Sequence, residues 1–281
     1  MKNTVLTPAL TGISTFRFKD TCSSDLGIII TKTPEEKIPE RDVETISVPG
    51  RNGDLVFDKG RYNNVPRGYD CAVLPELIQN QTDYWMAVLS GDMGGWTETD
   101  SAYLLALSKV IQLLSPTAQY FRLEDSYDPR IYRMARVSGG ISVENIVNQA
   151  GIFSVEFDCK PQKFLISGDV PKIFTEATPQ INRFLFNFSE QTAKPLIRVA
   201  GSGAGDISVG GINVELKDLT DPITLDCEMQ NAYGQTGDGP LVNKNAVIYA
   251  PEFPQLPPGS CAVSWSGGVE RVEIIPRWWT L

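Results

Sequence analysis

The chain has 281 residues, 42% of them hydrophobic and 21% charged, with a formal charge of −9. This is the composition of a soluble globular protein, and the length suits two domains. The acidic balance argues against binding to nucleic-acid backbones and anionic membranes, which relies on clustered Lys and Arg, and it would repel DNA sliding past.

There is no histidine in the sequence. Its absence removes Ser-His-Asp and Cys-His nucleophiles and every His-containing metal site. Cys22, Cys71, Cys159, Cys227 and Cys261 lie far apart without metal-ligand spacing, so they are expected as reduced, buried small hydrophobes. The start, MKNTVLTPAL, lacks a small-residue cleavage site. No apolar run approaches the roughly 20 residues that span a bilayer. Synthesis and folding in a cytoplasm, with no membrane partner, are expected.

Along the chain, Ile13 to Phe18 and Leu26 to Ile30 read as strands around the turn-rich stretch Asp20 to Asp25. The charged loop Pro34 to Lys37 leads into the alternating Val43 to Ile46. Then comes Val48-Pro49-Gly50-Arg51-Asn52-Gly53-Asp54-Leu55. Pro49-Gly50 and Asn52-Gly53 are turn dipeptides, because Pro fixes φ and Gly accepts φ > 0. With Ile46, Val48, Leu55 and Phe57 alternating, the segment predicts a hairpin of half-buried strands. Tyr69 to Ile78 predicts a strand interrupted at Pro75, and Asp83 to Leu89 a short helix. From Thr99 to Leu114 the period changes: Leu104, Leu107, Ile111 and Leu114 recur at three and four, which predicts a helix with that stripe on the core. Thr99 or Asp100 can cap it, and Ser115-Pro116 stops it. Tyr120 to Glu124 alternates as a strand. Ile131 to Val137 is another, with Ile131, Arg133, Ala135 and Val137 on one face. Ile152 to Cys159 is a strand that Pro161 should break.

Residues 167 to 193 read as a boundary, and the text beyond Pro195 is short strands and turns without helical period, as in a β-sandwich or jelly roll. The expected architecture is mainly β, with one main helix and a β-hairpin in the N-terminal part, followed by an all-β domain.

Four motifs are weighed for chemistry. Gly201-Ser202-Gly203-Ala204-Gly205-Asp206 fails the phosphate-loop spacing and reads as a hairpin turn. Asp218, Asp221, Asp226, Glu228 and Asp238 lack calcium-loop spacing and read as solvated carboxylates. Nothing pairs Glu35, Glu36, Asp42, Glu44, Glu124 and Asp125 into a glycosidase dyad. Tyr233, Tyr249, Trp265, Trp278 and Trp279 could stack sugars, although packing is the commoner role for such residues.

The run from Val48 to Gly60 resembles the "PGRnGdL…D.G.Y" signature of siphophage distal tail (Dit) proteins. Ser24-Asp25-Leu26-Gly27-Ile28, Arg41-Asp42-Val43-Glu44, Asp128 to Ala135, Phe157 to Gln162 and Phe253 to Gly259 resemble further segments of that family, in order, over nearly the whole chain. The resemblance implies a ring-forming belt domain over residues 1–167, an N-terminal β-sandwich with one main α-helix and a β-hairpin, and a C-terminal galectin-like β-sandwich over 168–281, with the boundary within 165–193. It implies a homo-hexameric ring at the virion tail tip that joins the tail tube to the host-adhesion apparatus and lets DNA pass through its lumen. The implied partners are the tail tube protein, a tail-tip or tail-associated protein, and baseplate or receptor-binding proteins, with no specific nucleic-acid binding. It implies no catalysis, no cofactor and no metal. The family's hairpin then makes Pro49, Gly50, Arg51, Asn52, Gly53 and Asp54 candidates for ring contacts or the lumen lining. Sugar-binding galectins use a His-Asn-Arg cluster, so "galectin-like" denotes shape here. The alternative reading is a C-terminal carbohydrate-binding module for host cell-wall saccharide; a histidine-free glycoside hydrolase is the remote third.

Overall fold

The computed structural model describes residues 13–74, 98–142, 144–146, 150–235 and 239–281. The expected helix at Asp83–Leu89, Pro75 and Asp238 lie outside them. The protein is mainly β, with one α-helix among the described residues. Residues up to Lys163 form one compact unit and Phe164–Thr280 a second.

The first unit runs β1 (Phe16–Phe18), β2 (Thr21–Cys22), β3 (Ile28–Ile30), β4 (Arg41–Ile46), β5 (Leu55–Tyr62), β6 (Val65–Val73), α1 (Glu98–Leu114), β7 (Phe121–Asp125), β8 (Ile131–Val137), β9 (Glu144–Ile146) and β10 (Ala150–Leu165). Its main sheet has the order β2-β1-β7-β8-β10-β6-β3. Alternation decides which side is core. Tyr69, Cys71 and Val73 of β6, Ala135 and Val137 of β8, and Phe153, Val155 and Phe157 of β10 all turn to one buried face. Four rings, Phe16, Phe18, Tyr69 and Phe157, pack there edge-on or stacked, with centroids 4.9 to 5.8 Å apart.

Helix α1 covers this core with part of the expected stripe, Leu107 and Leu114, while the side chain of Leu104 lies outside the described residues. Ala106, Val110, Leu113 and Leu114 are buried and Leu107 partly so, whereas Ile111 is 55% exposed. A helix presents an arc, and here the arc is centred between the 106-110-113 and 107-114 rows, which turns Ile111 outward. The helix already includes Glu98, so Thr99 and Asp100 lie in its first turn instead of capping it. Its far end is closed by Lys19, whose Nζ donates to Leu113 O at 3.0 Å, and by Ser115, whose Oγ donates to Ile111 O at 2.6 Å. Strand β10 also continues through Pro161, which was expected to break it. The β6 ladder ends at the Cys159–Val65 pair, so Pro161 falls where that ladder no longer needs its missing N–H.

The second unit holds β11 (Lys172–Thr175), β12 (Phe184–Asn187), β13 (Leu196–Val209), β14 (Ile212–Leu216), β15 (Ile223–Asp226), β16 (Asn231–Gly234), β17 (Val242–Asn243), β18 (Ile248–Tyr249) and β19 (Gly259–Ile275). Two of these are long. β13 and β19 pair as Leu196–Ala200 with Arg271–Ile275, then again as Gly205–Val209 with Val263–Gly267, with register shifts between. The first half extends through β15, β16 and β17, and the second through β14 and β18. Both halves contribute to one core, Ile197, Val199, Val272 and Ile274 from one and Ile207, Val209, Val214 and Val263 from the other. The unit is thus a β-sandwich whose two layers are the two halves of the same long pair.

Glycine makes that crossing possible. The Gly201–Gly205 stretch, expected as a hairpin turn, lies inside β13 at the bulge against Gly267 and Gly268. A Cβ on Gly201 would stand 2.0 Å from Gly268 O, and one on Gly268 1.6 Å from Ser202 O. The glycines are there because two backbones touch.

Candidate functional site

The candidate residues Pro49 to Asp54 form the tip of the β4–β5 hairpin, a two-stranded sheet of its own with Ile46 opposite Leu55. Arg51 N donates to Val48 O at 3.1 Å, and Gly50 has φ 80°. With Pro49 before it, this is a type II turn, in which only a residue tolerant of positive φ fits the third position. Gly53, at φ 81°, provides the second such point. Arg51, Asn52 and Asp54 point away with no polar partner among the described residues.

The remainder of the signature has physical roles in the same hairpin. Asp58 accepts from Arg41 Nε and NH2 at 2.9 Å and from Gly60 N at 2.8 Å. The Arg41 guanidinium lies 4.7 Å from the Tyr62 ring centre. Gly60, at φ 76°, takes up a bulge between the Arg41–Tyr62 and Val43–Asp58 pairs. The Arg41 hydrogen bond first, then the Gly60 N–H, hold the Asp58 carboxyl below its ordinary value. Asp42 is likewise held low, by Arg61 at 2.7 Å and Lys59 at 3.4 Å.

The expected half-burial of these strands is corrected. Val43, Ile46, Leu55, Val56 and Phe57 are 42 to 61% exposed, and Val48 at the turn is 38% exposed. The alternation is present, yet no sheet or helix of the described chain covers either face of the hairpin. Exposed apolar runs of this kind are a general feature of interaction surfaces.

What fixes the arm is a polar network that sequence reading missed. Arg67 and Arg133 occupy core-face positions of β6 and β8, and both are buried. Arg67 NH2 and Tyr69 Oη donate to Asp125 Oδ2 at 2.8 and 2.7 Å. Tyr127 N and Asp128 N donate to Asp125 Oδ1 at 3.1 and 3.2 Å. Arg67 NH1 donates to Glu35 O and to Glu36 Oε2, at 3.1 and 2.6 Å. Arg133 and Lys163 reach Glu36 Oε1 at 2.9 and 2.6 Å. Glu36 therefore ties the irregular segment 33–40, which leads into β4, to three cations of the sheet. Partial burial works to raise the Glu36 carboxyl; the Lys163 hydrogen bond and the charges of Arg133, Lys163 and Arg67 outweigh it and hold it below its ordinary value. A carboxyl held low is unsuited to general-acid work, which needs a raised pKa. The signal available in sequence was an arginine in each of two otherwise apolar alternations.

The other candidates are dispersed. Trp278 is buried in the second core, Trp265 lies under the Arg183 guanidinium at 4.1 Å, and Trp279 Nε1 donates to Thr192 O at 3.0 Å. Tyr233 and Tyr249 belong to β16 and β18, and no two of the five rings stack among the described residues. Asp226, expected to be solvated, is buried and bidentate to Arg277 at 2.8 and 3.0 Å. Asp221 pairs with Lys244 and Glu228 with Lys194. Among the described residues no group of three His, Cys, Asp or Glu is placed to hold a metal ion, and no helix is long and apolar enough to cross a membrane.

Among the described residues the chain is thus mainly β in two units, one with a single α-helix and a two-stranded arm and the other a sandwich. A solved structure carries that fold over the length of this chain: the Dit protein (gp 19.1) of phage SPP1, described as a paradigm of the hub adsorption apparatus in phages infecting Gram-positive bacteria. It matches with a TM-score of 0.64 and 12% identity, covering 96% of this chain and 100% of that one. No family model and no curated protein matches the sequence.

Proposed function

We propose that this protein is a structural hub of a phage tail tip. Six copies close into a ring that joins the tail tube to the host-adhesion apparatus, with DNA passing through the lumen and the second, galectin-like unit turned to baseplate or receptor-binding proteins. The shared fold supports the tail role. The observation that carries the ring is the β4–β5 arm, whose Val56 and Phe57 are 59 and 61% exposed on a clamped base. A rotational ring needs a heterologous contact, one surface of each copy against a different surface of the next. An arm set on one side of a subunit can supply it. The net charge of −9 suits a lumen that DNA slides through without adhering.

The test is native mass spectrometry of the purified protein with negative-stain images of the same sample. The expected result is a six-fold ring with an open lumen. A chain that stays monomeric across a concentration series, alone and when co-expressed with its tail tube protein, overturns the ring.

A further inference from the structure

Among the described residues two edge strands of the second unit, β11 and β12, end in the open. β11 and β12 each pair with β19 alone, on its outer edge and at its opposite ends. Between them lies a cleft of about 740 Å³, lined by Ile173 and Phe174 of β11, Phe184 and Phe186 of β12, and Phe188 and Trp278.

The register fixes which backbone groups face that opening. Arg183 O accepts from Val263 N at 2.9 Å, so Arg183, Leu185 and Asn187 turn their N–H and C=O toward β19. In an antiparallel ladder the alternate residues point the other way. Among the described residues Phe184 and Phe186 therefore present unpaired backbone donors and acceptors at the edge, with their own side chains 47 and 44% exposed. Phe188 follows at 87% exposure, its ring 4.5 Å from that of Phe186 and tilted by 48°. Tilted rings make a poor flat platform for a sugar. A free edge beside apolar pockets is what an added strand uses, with backbone bonds for affinity and alternate side chains for specificity.

We propose that β12 is a docking edge for an extended segment of a partner protein, with alternating apolar residues and an acidic flank, that adds as a strand and closes the cleft. Size selects a peptide over a second copy of this chain. Phe184, Phe186, Phe188 and Ile173 together expose roughly 400 Å² by the usual area of such side chains. A stable dimer buries about 800 Å² per partner. Charge selects the flank: Lys172 is the single charged residue lining the cleft, exposed and without an ion pair among the described residues. The docking edge stands apart from the ring reading.

The experiment selects random peptides displayed on an unrelated carrier against the full chain, then measures synthetic versions by fluorescence anisotropy. Enriched peptides are expected to alternate apolar residues near an Asp or Glu. Their affinity should fall at least tenfold with Phe186→Asp and with N-methylation of alternate peptide amides, but not with Phe57→Asp in the arm. Lys172→Glu should shift selection toward basic flanks. Oligomeric state, read in the same samples, separates failure of this proposal from failure of the ring. Peptides insensitive to Phe186→Asp or to N-methylation overturn it, as does a selection without enrichment. A glycan-array signal lost in Phe186→Asp would reassign the cleft to sugar and overturn it too.

Discussion

Arg67 shows how one residue can be both a burden and an anchor. Its side chain is 8% exposed and that of Asp125 3%, so neither charge is solvated on its own account. Removing one partner of such a pair strands the other, at about 3 to 5 kcal/mol. Asp125→Ala should therefore lower the stability of the first unit by about 3 kcal/mol in urea melts, whereas Glu36→Gln, at a half-exposed end of the network, should cost far less. Acid should act through Glu36 of this network and, in the second unit, through Asp226. Glu36 and Asp226 both have folded-state values held below the ordinary carboxylate value. A depressed group contributes stability that is present above its unfolded value and lost as pH falls through the folded one. Thermal melts should thus fall steeply below about pH 4, and Glu36→Gln should flatten part of that fall. Thiols give a third residue-scale outcome. Burial pushes Cys71, Cys159 and Cys227 up to about 12, so a thiol reagent at neutral pH should leave these three unmodified until the chain unfolds.

At the scale of elements, two glycine substitutions should behave oppositely. Gly50 has positive φ but open space around a Cβ, so Gly50→Val strains and reshapes only the arm's tip. Its melting temperature should stay near wild type while ring assembly weakens. Gly268→Ala places a methyl against the Ser202 carbonyl, which has a backbone and no flexible side chain to move. Loss of the second unit's fold, read by circular dichroism, is the expected outcome. Unchanged stability in Gly268→Ala would contradict the close crossing. Sequence foresaw the arm's turn because Pro49-Gly50 and Asn52-Gly53 act locally, within four residues. It also foresaw the two faces of β8, because a strand's alternation is a local property. It mistook the Gly201–Gly205 bulge for a turn because both need glycine, and only the opposite strand, some 60 residues away in sequence, distinguishes them. The Arg67–Asp125 network was illegible for the same reason. The arm's exposure escaped because alternation records that a face is buried, not whether its cover comes from the same chain.

For the whole molecule, that last point becomes a test of assembly. If the arm's Val56 and Phe57 are covered by a neighbouring copy, Phe57→Asp should turn rings into folded monomers of unchanged melting temperature. High salt should leave wild-type rings intact, since an apolar contact is not screened. Rings that survive Phe57→Asp would place the contact elsewhere on the subunit.

The paired strands β13 and β19 carry a consequence for how the second unit comes apart. Each layer of the sandwich is one end of the same two strands, which run through both layers across the Gly201–Gly205 bulge, so opening one layer pulls on the other. The unit should behave as a single foldon. Amides of β14 in one layer and β15 in the other should exchange with deuterium at one common free energy, set by global opening. Such a body transmits a pull applied at one edge to the other without yielding in between, a useful property in any particle whose outer parts take hold of a surface while its axis stays in register.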